Sequence, residues 1–143
     1  MSFSSPPNPN EFQAMVWEIA RQVPAGKVTS YGQIAGMIPA PGKLNLKDYE
    51  AFGARWVGGA MANCPADVPW QRVINSQGKI SQRPGAEKQR QLLEDEGVSF
   101  NDRDKVDFDQ CGWEGPGSEW CQARHLFIPK LLGRPQGRSG VLF

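Results

Sequence analysis

Proline and glycine constrain the fold of this chain most, because they end helices at close intervals. Of its 143 residues, 12 are proline and 16 are glycine. Pro24 ends a first amphipathic segment, and Pro39 and Pro41 end a second. The apolar runs are only a few residues long, so no segment is predicted to span a membrane. The sequence predicts one small domain with flanking tails.

Helical patterns dominate the first half of the chain. Asn10 is the predicted N-cap of a helix whose apolar residues recur at helical spacing as far as Ile19. Thr29 or Ser30 is predicted to cap a second short helix, "YGQIAGMI". Residues 39–54 are predicted to form an unusually long loop.

A third helix is predicted for "ARWVGGAMAN", residues 54–63. Its glycines, Gly58 and Gly59, suit a close approach to another backbone better than they suit helix strength. Two short helices in succession indicate a helix-turn-helix, although many small α+β domains contain such a pair.

The second half of the chain mixes strand and helix signals. "RVINSQGKIS" predicts two short strands about a turn at Gly78. "PGAEKQRQLLEDEG" predicts a helix with Pro84 near its start and Gly97 as its C-cap. The predicted fold is α+β and mostly helical, with a winged-helix-like helix-turn-helix and a short β-hairpin. Predicted boundaries are a disordered tail (1–9), a domain (10–116) and a basic C-terminal extension (117–143).

Charge is patterned although the net charge is only +1. Residues 55–90 carry six basic and two acidic side chains, hence +4, whereas residues 91–110 carry seven acidic and two basic ones, hence −5. From residue 122 onward there are four basic residues and no acidic ones. A local basic face can bind nucleic acid even when the whole chain is nearly neutral, but an ordinary mixed surface fits this pattern equally well.

The cysteines predict neither a disulfide framework nor a metal site. Cys64, Cys111 and Cys121 form an odd set without a CxxC motif. Cys111, Cys121 and His125 match no common zinc-finger spacing and lack a fourth ligand, so ordinary reduced thiols are the preferred interpretation. The N-terminus does not have the pattern of a secretory signal, and a cytosolic protein is predicted.

Three segments in order carry a specific pattern: "VPAGKVTSYGQIA", "ARWVGGAMAN" and "VPWQRVINSQGKIS". Together they resemble the C-terminal domain of the O6-alkylguanine-DNA alkyltransferases, over roughly residues 10–114. That family has "PCHRV" where this chain has Pro69-Trp70-Gln71-Arg72-Val73, its Cys taking the alkyl group and its His helping to ionise the Cys. Trp in that frame resembles the alkyltransferase-like branch, which has no acceptor Cys.

The chemistry of the substituted residues agrees with this resemblance. Alkyl transfer requires a nucleophile such as a thiolate, and the Trp70 indole is neutral and has no usable lone pair. Cys64 lies in a predicted loop without an adjacent His. Glu96 matches the carboxylate that completes the relay in the enzymes, but with Gln71 in place of His it has nothing to relay to; a helix-end surface or cap position is at least as plausible. No catalytic residue, cofactor or metal is predicted.

The resemblance implies a binding pocket in place of an active site. Tyr31 matches the Tyr that presses on the phosphate of the rotating nucleotide, and Arg55 matches the arginine that enters the base stack. Arg83 matches an Arg that stacks on the extruded base. Trp70 and Val73 would line the pocket, with Pro65 near its rim.

The function implied is recognition without repair. The chain is predicted to bind double-stranded DNA containing O6-alkylguanine, to flip the damaged nucleotide and bend the DNA, and to flag the site for nucleotide excision repair proteins. It is predicted to act as a monomer, in the cytoplasm on a bacterial nucleoid or in a nucleus. Alternatives are a helix-turn-helix transcription regulator, a transferase using another residue, and an interaction module without DNA binding.

Overall fold

The computed structural model describes residues 6–42 and 44–133 of the chain. Residues 1–5 of the predicted tail, and Arg134 and Arg138 of the predicted extension, lie outside the described residues. The fold is mostly helical, as predicted. The helices are α1 (Pro9–Ala20), α2 (Tyr31–Met37), α3 (Leu46–Ala62), α4 (Ala86–Asp95), α5 (Phe108–Cys111) and α6 (Ser118–Ala123), with strands β1 (Thr29–Ser30) and β2 (Val73–Ile74) and a 3₁₀ turn at Trp70–Arg72.

The first helix begins earlier than the sequence predicts. Its N-cap is Asn8, and Pro9 occupies the first helical turn, where the missing proline N–H loses no helical hydrogen bond. The prediction of Asn10 as N-cap is therefore wrong. Phe12, Val16 and Ile19 are buried as the helical spacing indicates.

Helices α2 and α3 pack against each other and form the helix-turn-helix. Ser30 caps α2, because its side chain accepts a hydrogen bond from the backbone N–H of Gln33 at 2.9 Å. Helix α3 begins at Leu46, so the prediction of a loop through residue 54 is wrong. The overlooked signal is Asn45, whose side chain accepts from the N–H of Asp48 at 2.8 Å.

Close helix packing depends on Gly53 rather than on Gly58 and Gly59. A Cβ at Gly53 would lie 3.0 Å from a ring carbon of Tyr49 and 3.2 Å from the Cβ of Ala35 in α2. A Cβ at Gly58 would make only an ordinary contact with Tyr31, and one at Gly59 would meet nothing within 4 Å. The prediction that the latter pair serves close approach is wrong.

The two strands do not form the predicted hairpin. They pair in parallel, Thr29 with Val73 and Ser30 with Ile74. The turn at Gly78 exists, but the side chain of Asn75 accepts hydrogen bonds from the N–H groups of residues 77 and 79, which competes with a strand ladder. The hairpin prediction is wrong because the partner of β2 lies far away along the chain.

Helix α4 follows the prediction closely. Pro84 precedes the N-cap Gly85, and Gly97 adopts a left-handed φ of 95° just after the C-cap Glu96. The N–H of Val98 then donates to the carbonyl of Leu93, which closes the helix end.

Two buried clusters hold the fold together. The larger one joins α1, α2 and α3 and also includes Cys121 and Leu126, which lie beyond residue 117. The smaller one includes Val28, Leu93 and Cys111. Cys111 and Cys121 therefore lie in different clusters, and the described residues contain no group of three or more His, Cys, Asp or Glu that could hold a metal ion. Within residues 6–42 and 44–133, no helix combines the length and hydropathy needed to cross a membrane.

Candidate nucleic-acid interface

Trp70 opens the 3₁₀ turn that leads into β2. Its side chain is half-buried, and its backbone N–H donates to the carbonyl of Val68 at 2.7 Å. Pro69 is the N-cap of this turn, and Val73, the first residue of β2, is its C-cap. Trp70 thus presents a bulky aromatic side chain that is only partly exposed.

Glu96 binds the two residues that follow Trp70. Its carboxylate accepts from Gln71 Nε2 at 2.8 Å and from Arg72 Nη2 at 2.8 Å and Nε at 3.0 Å. Arg72 also donates to the carbonyl of Val23 at 2.8 Å, and the N–H of Gly26 donates to Glu96 at 3.4 Å. Glu96 is the C-cap residue of α4, which confirms the interpretation as a cap position. Its side chain is not a free surface group, because it also anchors the turn through Gln71 and Arg72.

The surroundings of Glu96 keep its carboxylate charged. Burial alone would raise its pKa, but the hydrogen bonds from Arg72, Gln71 and the N–H of Gly26 outweigh burial and lower the pKa below its ordinary value of 4.5. The side chains of Arg72 and Glu96 are only 18% and 15% exposed. The pair is a buried structural link and is not free to act as a general base.

Arg83 is exposed, and Gln89 of α4 holds one end of it. Arg83 Nη2 donates to Gln89 Oε1 at 2.9 Å. The Gln89 amide donates in turn to the carbonyls of Gln71 at 3.1 Å and Val73 at 3.0 Å. Gln89 was not singled out from the sequence, although its position four residues before Leu93 places both on the buried face of α4.

Tyr31 and Arg55 lie on the two helices of the helix-turn-helix. Tyr31 is the first residue of α2, is half-buried, and packs against the main cluster. Arg55 is exposed on α3, its guanidinium carbon 5.9 Å from the centroid of the Phe52 ring. Arg55 is therefore presented to solvent by a rigid helix, as a residue that enters DNA would need to be.

Val73 and Pro65 lie in different surroundings. Val73 is 1% exposed, and its side chain belongs to the main cluster. Its backbone carbonyl accepts the hydrogen bond from the Gln89 amide. Pro65 is exposed, and its carbonyl accepts from the N–H of Val68 at 3.1 Å.

A cavity of about 910 Å³ lies between α2, α3 and residues 127–133. None of the six predicted binding residues lines it. The exposed apolar side chains beside it are Leu46, Phe127, Ile128 and Leu131. Its lining is mostly apolar, which does not suit a nucleotide phosphate, and it is separate from the predicted site.

The structure divides the basic stretch into cations with and without a carboxylate partner. Arg72 is paired with Glu96, and Arg90 is paired with Glu94 and Asp104. Within the described residues, the other cations of the stretch have no carboxylate within salt-bridge distance; they are Arg55, Lys79, Arg83 and Lys88. Four of the six basic side chains therefore remain available for phosphate or base contacts.

The geometry is that of a helix-turn-helix domain with a tryptophan turn beside it, and comparison with known proteins identifies its family. Residues 11–98 match the family described as 6-O-methylguanine DNA methyltransferase, DNA binding domain. The chain belongs to this family, which confirms the resemblance predicted from three short segments.

Named relatives extend the comparison. The chain is 37% identical over 108 residues to a DNA base-flipping protein of Vibrio parahaemolyticus, covering 73% of this chain and 98% of that protein. It is 39% identical over 96 residues to Alkyltransferase-like protein 1 of Schizosaccharomyces pombe, covering 64% and 80%. A crystal structure of S. pombe Atl1 in complex with damaged DNA containing O6-carboxymethylguanine matches with a TM-score of 0.55 at 33% identity, covering 73% and 95%.

Proposed function

We propose that this protein binds O6-alkylguanine in duplex DNA, flips the damaged nucleotide and leaves the alkyl group in place. The observation that carries the proposal is the Trp70 turn, in which Glu96 fixes Gln71 and Arg72 directly after the indole. The sequence resemblance aligns Trp70 with the acceptor Cys. Membership of the alkyltransferase family and the relatives named for base flipping support it. So does the likeness to a structure bound to O6-carboxymethylguanine DNA.

Flipping needs a side chain to fill the vacated stack and a pocket to hold the base. Arg55 is exposed on α3 and takes the first role, while Tyr31 at the start of α2 presses on the rotating phosphate. Trp70 and Arg83 hold the base through aromatic and cation–π contacts. Extrusion costs a few kcal/mol, and it costs least for a mispaired or damaged base, so selectivity for lesions follows.

The cysteines do not supply a replacement nucleophile. Burial raises the pKa of the Cys64, Cys111 and Cys121 thiols, which lowers their thiolate fraction at neutral pH. Cys111 and Cys121 are also buried in separate clusters. Binding without turnover then produces a persistent, bent complex, which serves as a flag.

The partners and location follow from this role. The complex recruits nucleotide excision repair proteins, the protein acts as a monomer, and it resides with DNA, on a bacterial nucleoid or in a nucleus. The folded domain extends beyond the predicted bounds of 10–116, because α1 begins at Pro9 and because Cys121 and Leu126 belong to the larger buried cluster.

The test is a binding comparison on matched duplexes containing guanine, O6-methylguanine or a bulkier O6-adduct, followed by mass spectrometry of the protein. We expect tighter binding to both lesions and no gain of alkyl mass. Stoichiometric methyl transfer to any residue would contradict the non-enzymatic proposal. Binding to one undamaged operator sequence, with no lesion preference, would indicate the helix-turn-helix transcription regulator instead.

Two variants test the flipping residues. Arg55→Ala and Tyr31→Ala should weaken lesion binding without unfolding the domain, whereas Arg103→Ala, an exposed arginine of the acidic stretch, is the control and should bind like the parent. Affinity should also fall with rising salt, each phosphate contact contributing about −0.9 to the logarithmic slope. Salt-independent binding would indicate a protein partner in place of DNA.

A further inference from the structure

Gln89 is a polar residue whose side chain is buried and fully hydrogen-bonded on the short helix α4. It is 1% exposed, and both its amide nitrogen and its amide oxygen are hydrogen-bonded. Such a residue is costly to bury unless every polar atom is satisfied. Its bonds reach in two directions, to the main chain of the tryptophan turn and strand and to the exposed Arg83.

The chemistry of the partners fixes the orientation of this amide. Two backbone carbonyls, those of Gln71 and Val73, require the NH₂ group, and the guanidinium of Arg83 requires the oxygen. A flipped amide would place oxygen against two acceptors and NH₂ against a donor. Gln89 therefore presents its carbonyl oxygen to Arg83.

We propose that Gln89 is a positioning residue for lesion binding, which orders Arg83 against the Trp70 turn before DNA arrives. The inference rests on the proposed function. Arg83 has no carboxylate partner among the described residues, and the hydrogen bond that it donates to Gln89 limits the freedom of its long side chain. Ordering a flexible side chain in the free protein reduces the entropy lost on binding.

The same amide also sets where Trp70 stands relative to Arg83. The carbonyls that it holds flank Arg72, in the turn that Trp70 opens and in the strand that follows. One buried side chain thus connects α4 and Arg83 to the tryptophan turn. Only one of the five guanidinium N–H groups is used by Gln89, which leaves the planar face and the remaining donors for a base.

The test is a double-mutant cycle with Gln89→Met and Arg83→Ala, read as the ratio of affinities for O6-methylguanine and undamaged duplexes. Gln89→Met alone should lower this ratio about threefold to tenfold, within the range of a lost cation–π contact, and change undamaged-duplex affinity less than about twofold. In the Arg83→Ala background it should lower the ratio little further. Gln91→Met is the control, because Gln91 is exposed on the same helix and its side-chain amide donates to Asp95.

Each other outcome overturns the proposal in a recognisable way. Equal losses on both duplexes, or additive effects in the cycle, would mean that Gln89 is only structural. A lesion ratio of one for the parent protein would overturn the proposed function and this inference together, before any variant is made.

A measurement on the parent protein keeps the test decisive if Gln89→Met does not fold. The hydrogen bond between Arg83 and Gln89 predicts slow rotation of the Arg83 guanidinium, which side-chain NMR can measure. The Arg83 signal is assigned by its absence from the spectrum of Arg83→Lys. Free rotation of Arg83 in the parent protein would overturn the proposal. Arg83→Lys should itself lose lesion preference, because an ammonium keeps the charge without the planar face.

Discussion

Gln33 and Gln89 use the same amide chemistry in two regions of the molecule. Gln33 in α2 is 5% exposed, and its NH₂ group donates to the carbonyls of Trp113 and Lys130, each at 2.9 Å. Gln89 in α4 likewise donates to two carbonyls of the turn and strand at residues 70–74. Both therefore link a helix to irregular main chain that has few ladder bonds of its own.

The difference lies in what donates to each amide oxygen. Gln33 accepts from the hydroxyl of Thr29 at 2.6 Å, and Thr29 is completely buried. Gln89 accepts from Arg83, which is exposed. The amide oxygen of Gln33 thus ends at a buried hydroxyl, and we expect its network to contribute to stability. The amide oxygen of Gln89 ends at a surface cation, and we expect its network to affect binding.

Gln33→Leu should have the largest effect on stability. It leaves two carbonyls and the Thr29 hydroxyl without their partner, and we expect a loss of about 2–4 kcal/mol in the free energy of unfolding. Chemical denaturation monitored by circular dichroism measures this loss. The ratio of lesion to undamaged affinity should stay at the parent value below the unfolding transition.

This variant can also break the comparison. A selective loss of lesion preference in Gln33→Leu would mean that residues 113–130 influence the binding surface, and the two networks would then not be separable. Gln22→Leu, an exposed glutamine, is the control for removing an amide.

The contrast also separates what could be predicted from what could not. Local signals were sufficient for the Ser30 cap, for α4 and for the family, because each depends on a few neighbouring residues. The parallel pairing of Thr29 with Val73 was missed because it joins distant segments. A hairpin turn was present at Gly78, but Asn75 satisfies the N–H groups that a second strand would use.

For the candidate site, residue types were predictable and their connections were not. The three segments identified Trp70, Tyr31 and Arg55. The resemblance added Arg83 just beyond the third segment, and the roles of all four residues remain predictions. Gln89 was missed because a glutamine among charged residues on α4 has the pattern of a solvated surface residue. Its burial depends on the packing of α4 against the 3₁₀ turn, which only the structure reveals.

Glu96→Gln should have the next largest effect. Arg72 would lose its charged partner while remaining mostly buried, so we expect a loss of about 1–3 kcal/mol at pH 7. The pKa of Glu96 is lowered in the folded state, so its contribution to stability is present above the unfolded-state pKa and is lost as pH falls through the folded-state pKa.

Denaturation at a series of pH values tests this dependence. The difference in unfolding free energy between the parent and Glu96→Gln should be constant above about pH 5 and should narrow as the pH falls below about 4.5. A difference that is the same at pH 7 and pH 3 would show that the charge of Glu96 is not what anchors the turn.

Trp70→Cys should have a smaller effect on stability and should give little transferase activity. The indole is only half-buried, so we expect a loss of about 1–2 kcal/mol. Residue 71 would not activate the new thiol, because the Gln71 amide is held by Glu96 and cannot accept a proton. Transfer from a methyl-labelled duplex measures the activity.

Adding Gln71→His sharpens this result. An imidazole could donate to Glu96 through one nitrogen and accept the thiol proton through the other, so the double variant should exceed Trp70→Cys while remaining slower than a natural enzyme. Rapid transfer by the single variant would show that the region around Glu96 activates a thiol without help from residue 71.

Asp67→Asn should have the smallest effect on stability of these variants, and it shows how much an exposed ion pair contributes. Arg21 binds Asp67 through two nitrogens, at 2.8 and 3.3 Å, so its geometry resembles that of Arg72 with Glu96. The hydrogen bond from Arg21 lowers the pKa of Asp67, but both side chains are exposed and water competes for the pair. We therefore expect no measurable change in the denaturation midpoint and no change in lesion preference. A loss of stability comparable to that of Glu96→Gln would mean that the geometry of an ion pair matters more than its burial in this protein. Burial could then no longer explain why the Gln33 and Gln89 networks should differ in their effects.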